Sequence, residues 1–132
     1  MQPNLFLRRV LMLDAASCLG MGALLVVGAG ALAPLFGLDR SLLFGAGVAL
    51  LPVGLFILWT GVRHTLMPWA VYLIVAGNLL WVLESLLVVR GAATTITALG
   101  TAFVLMQAAA VAGLSALEWF GIRRLRAAAT RA

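Results

Sequence analysis

Charged residues divide the chain into four apolar runs. Ala15–Leu38 holds 24 residues without a charge, Ser41–Val62 holds 22, Thr65–Leu83 holds 19 and Gly91–Leu117 holds 27. A helix needs about 20 mostly apolar residues to cross a bilayer. The pattern therefore predicts four spans, at about 10–33, 41–61, 68–89 and 95–120. Pro34 is expected to stop the first, because the residue before a proline is pushed out of the helical region. Asp39 and Ser41 are candidate caps for the second, Thr94 or Thr95 for the fourth. Pro68 suits the first turn of the third, where its missing N–H is not needed. Short connections make consecutive helices antiparallel neighbours. The expected fold class is all-α, an antiparallel four-helix transmembrane bundle forming a single membrane domain over residues 1–132.

Composition strengthens that picture and narrows the chemistry. Hydrophobic residues make up 64% of the chain and charged ones 10%, against about 25% charged in a soluble domain. All nine basic residues are arginine, and with four acidic residues the formal charge is +5. The lack of lysine excludes a Walker-type phosphate loop and any Schiff-base lysine. One histidine and one cysteine argue against a zinc site or an iron–sulfur cluster within one chain. No nucleophile–base pair emerges, so the chain is not expected to be an enzyme. No catalytic residue, metal or cofactor is expected, and no nucleic-acid partner.

The arginines also set an orientation. Four spans place Arg8, Arg9, Arg63, Arg123, Arg124, Arg126 and Arg131 on one side, and Arg40 and Arg90 on the other. By the positive-inside rule both termini are expected on the cytoplasmic side of a plasma (inner) membrane. Trp59, Trp69 and Trp119 fall at the inward ends, as an aromatic belt would. Arg8-Arg9 and Ala31-Leu32-Ala33 faintly imitate a cleaved signal, but Asp14 interrupts the apolar region and Pro34 would follow the cut. The first helix is therefore expected to be retained.

Ionisable groups inside a bilayer cost several kcal/mol unless paired or hydrated. Asp14 and Glu118 sit near the inner surface, where Arg8, Arg9, Arg123 and Arg124 make interfacial ion pairs the expectation. Glu84 lies deeper, about 7 Å from the bilayer centre at 1.5 Å per residue. Helical geometry places it with Asn78, Trp81 and Ser85 on the half of its helix expected to face the bundle. Gln107 lies near mid-membrane, with Asn78 as its natural partner at similar depth. Glu84, Asn78, Trp81 and Gln107 thus form the candidate intramembrane polar site. Gly47, Gly54 and Gly61, at seven-residue spacing, form a helix-contact surface, either within the bundle or between protomers. Pro52 should bend that helix.

The run Gly77-Asn78-Leu79-Leu80-Trp81-Val82-Leu83-Glu84-Ser85, Gln107-Ala108-Ala109 and the Gly121-Ile122-Arg123-Arg124 ending resemble small bacterial four-span integral membrane proteins. The resemblance implies the fold but brings no activity and no functional residues. Two functions stay open. One is a non-catalytic assembly or accessory subunit, packing through small-residue helix faces. The other is a proton- or cation-coupled transporter acting as a homo-oligomer, with Glu84 as the titrating group. The expected partners are the lipid bilayer and either further copies of the chain or a larger membrane complex.

Overall fold

The computed structural model describes residues 3–131 and contains four helices: α1 (Pro3–Phe36), α2 (Arg40–Val62), α3 (Pro68–Gly91) and α4 (Ala98–Arg131). Each is long and apolar enough to cross a membrane. The protein is all-α and built for multi-pass insertion.

Helix α1 is the spine. Most of its buried positions, among them Leu7, Leu11, Asp14, Cys18, Gly22, Leu25 and Ala29, recur every three or four residues, which is the spacing of one helix face. Helix α1 packs on both α2 and α4, and α3 packs on α4, while α2 and α3 scarcely meet although they are consecutive. The helices therefore follow the spatial order α2–α1–α4–α3, an arc with a gap between its two ends.

Glycine sets the α1–α2 distance. A Cβ on Gly47 would lie 2.8 Å from the Gly22 carbonyl oxygen, and one on Gly22 would lie 3.0 Å from that of Gly47. Gly54 faces Leu19 and Cys18, and Gly61 faces Met12 and Leu11. The glycine face of α2 is thus occupied by α1 of the same chain.

Two helix ends differ from the sequence expectation. Pro34 does not stop α1, which runs on to Phe36. Proline's fixed φ is compatible with a helix, and in the last turn it forfeits one backbone bond rather than a ladder of them. The true stop is Gly37, at φ +66°, a left-handed conformation that glycine adopts without steric cost. Its N–H and that of Leu38 both donate to the Ala33 carbonyl, at 2.9 and 3.2 Å. Helix α4 is capped by Thr97, not by Thr94 or Thr95. The Gly100 N–H donates to Thr97 Oγ1 at 3.0 Å, and Thr97 in turn donates to Leu35 O at 2.6 Å and Phe36 O at 2.9 Å. The start of α4 is thereby fastened to the end of α1. Asp39 does hold the N-cap position of α2, without a side-chain cap bond, and Pro68 opens α3.

Helices α1 and α4 each run to 34 residues, well beyond the 10–33 and 95–120 expected. The extra turns lie at the arginine-rich end. There Arg8 donates to the carbonyls of Gly61, Arg63 and His64, satisfying the end of α2 with a cation where its dipole is negative.

Candidate functional site

Two polar clusters lie inside the arc. In the first, Asn78 of α3 stands between Asp14 of α1 and Glu118 of α4. Its Nδ2 donates to Asp14 Oδ2 at 2.7 Å and to Glu118 Oε1 at 2.9 Å. Both acids are essentially sealed, at 1% and 0% exposure, and both accept from the same Asn78 amide nitrogen. The Cys18 thiol, one turn above Asp14, approaches Asp14 Oδ1 at 3.7 Å. Glu118 Oε2 is buried without a hydrogen-bond partner.

This arrangement replaces the expected ion pairs with arginine. Arg8 is engaged by the end of α2, and Arg123 lies over the Trp119 ring at 6.0 Å. Depth explains the difference. Asp14 lies eleven residues into α1 and Asn78 ten into α3, while Glu118 lies thirteen from the end of α4, so all three sit roughly 15–20 Å from those helix ends at 1.5 Å per residue. The longer helices carry both acids past the interface and into the bundle.

The second cluster sits about one turn further along α3. Trp81 Nε1 donates to Gln107 Oε1 at 2.7 Å, Gln107 Nε2 donates to Ser85 Oγ at 2.9 Å and Val104 O at 2.8 Å, and Ser85 Oγ donates to Trp81 O at 2.8 Å. Gln107 therefore pairs with Trp81 and Ser85, not with Asn78. Asn78, Trp81 and Ser85, at i, i+3 and i+7, share one face of α3. Glu84 does not. It is exposed at the edge of a small cavity of about 100 Å³ that Ser85, Trp81 and Gln107 also line.

The gap between α2 and α3 forms a cleft of about 730 Å³, within the range of small-molecule sites. Its walls are apolar, from Leu50, Pro52 and Phe56 on α2 to Leu73 and Ile74 on α3, and its polar lining includes Asp14, Ser17, Asn78 and Gln107. Val53 on one side and Leu73 on the other remain 45% and 55% exposed, so the mouth is open. Met21, Trp81, Phe103 and Gln107 line both cleft and small cavity, which makes the Trp81–Gln107 pair the partition between them.

Of the residues singled out from sequence, the structure brings Asn78 together with Asp14 and Glu118, and Trp81 with Gln107. It leaves Glu84 and Arg123 outside both clusters, and it places Gly47, Gly54 and Gly61 against α1. Ser85 and Cys18 carry no sequence signal beyond their helix face. Among the described residues no three His, Cys, Asp or Glu side chains are grouped to hold a metal ion. No protein-family model matches the chain, and no curated protein or solved structure is significantly similar to it.

Proposed function

We propose that this is a small integral membrane protein that takes a mainly apolar ligand from the bilayer into the cleft between α2 and α3, binding and moving it rather than converting it. The supporting observation is the cleft itself: about 730 Å³, open at its side, apolar in its walls and floored by the buried Asp14 and Asn78. A chain without other use for a buried carboxyl in hydrocarbon would be more stable without it, since such groups are costly and mark sites by default. In the transport reading the buried carboxyls are accordingly Asp14 and Glu118, since Glu84 is exposed.

Gly77 provides the test. It lines the cleft, and a Cβ placed there meets nothing within 4 Å, so Gly77→Trp adds bulk at the chamber from a position where the first side-chain atom is free of contacts. In liposomes, a neutral lipophilic diazirine should photolabel residues such as Met21 and Phe56. Gly77→Trp should suppress that labelling while leaving the melting temperature near that of the wild type. Equal labelling of both proteins, or labelling confined to outward-facing side chains, refutes the binding chamber.

An assembly role would use a small-residue face other than the glycine stripe of α2. Ala102, Ala109, Gly113 and Ala116 are exposed on one side of α4, at spacings that suit close approach of a second helix. Under this reading the chain forms a homo-oligomer, or joins a larger membrane complex, through α4. Gly113→Leu should then shift the species seen by native mass spectrometry, and an unchanged distribution counts against that face.

A further inference from the structure

On its arginine-rich side, the cleft between α2 and α3 leads to the connection that joins these two helices, residues 63–67. Ala49, Val53 and Phe56 line the cleft from α2. Arg63, the C-cap of that helix, follows Phe56 by seven residues, two turns along the same face. From α3, Gly77 and Leu73 line the cleft, and Trp69 precedes Leu73 by one turn. Aromatic rings link the cleft to the connection in one series. Phe56 lies 6.4 Å from Trp69 across the gap and 5.7 Å from Trp59, and the Arg63 guanidinium lies 4.7 Å over the Trp59 ring. Arg63, Trp59 and Trp69 are exposed. Arg8 donates to the backbone carbonyls of Gly61, Arg63 and His64, which fastens the connection without using the Arg63 side chain.

Size narrows the occupant. A helix about 10 Å across fills roughly 400 Å³ per 5.4 Å turn, so a cleft of about 730 Å³ takes fewer than two turns of one. A helix of a second copy or of a partner is therefore too thick, whereas a hydrocarbon chain can thread in from the open side. Depth agrees. Phe56 and Ala49 precede Arg63 by seven and fourteen residues, so the cleft lies about 10–20 Å below it at 1.5 Å per residue. Acyl chains occupy that level in a leaflet whose hydrocarbon is about 15 Å thick, half of the bilayer core. Charge fixes the head. Between Asp39 and Glu84 the chain has no acidic residue, so nothing on α2, α3 or their connection competes with an anion for Arg63.

Resting on the cleft reading given above and extending it, the geometry points to an anionic phospholipid as the occupant, with its phosphate on Arg63 and one acyl chain between α2 and α3. A guanidinium holds phosphate through two parallel N–H bonds and stacks its flat face on an aromatic ring at the same time, which is the arrangement Trp59 provides. The chain then runs past Phe56 and Leu73 into the apolar chamber. The sealed Asp14 and Glu118 take no part in holding the head.

The probes are phosphatidylglycerol and phosphatidylcholine carrying the same diazirine on one acyl chain, each at trace level in phosphatidylcholine liposomes that hold the full chain. Labelling is mapped by peptide mass spectrometry at Phe56 and Leu73, relative to Leu80 on the exposed side of α3. The phosphatidylglycerol probe should label the cleft about fivefold more than the phosphatidylcholine probe, the effect of roughly one arginine meeting an anionic head. Arg63→Gln should remove that preference while leaving cleft labelling by phosphatidylcholine in place, and Arg90→Gln, outside the 63–67 connection, should retain it. Should Arg63→Gln fail to fold, the ratio of the two probes on the wild type decides alone. Equal cleft labelling by the two probes, a preference that survives Arg63→Gln, or an equal loss in Arg90→Gln overturns the headgroup assignment and leaves the cleft reading standing. Cleft labelling by neither probe overturns both.

Discussion

Asn78 carries more of the interior than any sequence argument about it implied. Its amide is the donor for two sealed carboxyl groups, and removing a donor leaves the acceptors to bear their desolvation unaided. Asn78→Leu should therefore lower stability by about 1–3 kcal/mol, the cost of leaving a buried polar group without its hydrogen-bond partner, read as a fall in melting temperature in mild detergent. Glu84→Gln should leave that temperature unchanged or raise it, because Glu84 is exposed. Equal effects at the two positions would mean that the acids find another donor. Identity and helix face of Asn78, Trp81 and Gln107 were legible from apolar periodicity; their partners were not. Depth is the reason. Apolar runs mark where a helix can be in lipid but not where it ends, and the polar starts and finishes of α1 and α4 read as tails. Counted from Val10, Asp14 sits at the surface; counted from Pro3, it sits inside.

At the scale of elements, the seven-residue glycine spacing on α2 falls where α1 comes close, at Gly47, Gly54 and Gly61. Which helix fills it is a tertiary fact, and the structure assigns it to α1. Not every glycine in the stripe is equally constrained. At Gly47 an added methyl meets the backbone carbonyl of Gly22, which cannot move without shifting the whole helix, whereas at Gly61 it meets the terminal methyl of Met12 and then Leu11 Cβ at 3.3 Å. Gly47→Ala should destabilise by about 1–3 kcal/mol, the usual range for overpacking. Gly61→Ala should be milder, because the methionine end is flexible. Gly113→Ala meets nothing within 4 Å and should be neutral or stabilising, by up to roughly 1 kcal/mol of recovered helix propensity. Thermal melts of the three variants rank them directly, and a Gly61→Ala loss matching that of Gly47→Ala would contradict the backbone argument.

For the molecule as a whole, one end carries most of the arginines and three of the four tryptophans. Arg8 clasps the end of α2, Arg63 lies 4.7 Å from the Trp59 ring centroid, and Arg126 reaches the Tyr72 hydroxyl at 3.2 Å beside Trp119. Trp59, Trp69 and Trp119 stay 42–58% exposed there. Exposed tryptophans with arginines over their rings suit the headgroup layer, where an apolar ring and a cation can both be accommodated. Seven of nine arginines belong to this end by sequence, and the positive-inside bias counts residues near span ends in short loops. We therefore expect this end, with both termini, to face the cytoplasm. Reporter fusions at each terminus should give cytoplasmic signals, and adding arginines beside Arg40 and Arg90 should be the change that disturbs them. The same orientation sets the depth of the acids. The Asp14–Glu118 pair would lie in the inner half of the bilayer, reached sideways through the cleft rather than from the water above it. Opposite signals from the two termini would remove a span and with it the α2–α3 gap as a site within the membrane. Two external signals would keep the cleft but turn the Asp14–Glu118 pair toward the outer leaflet.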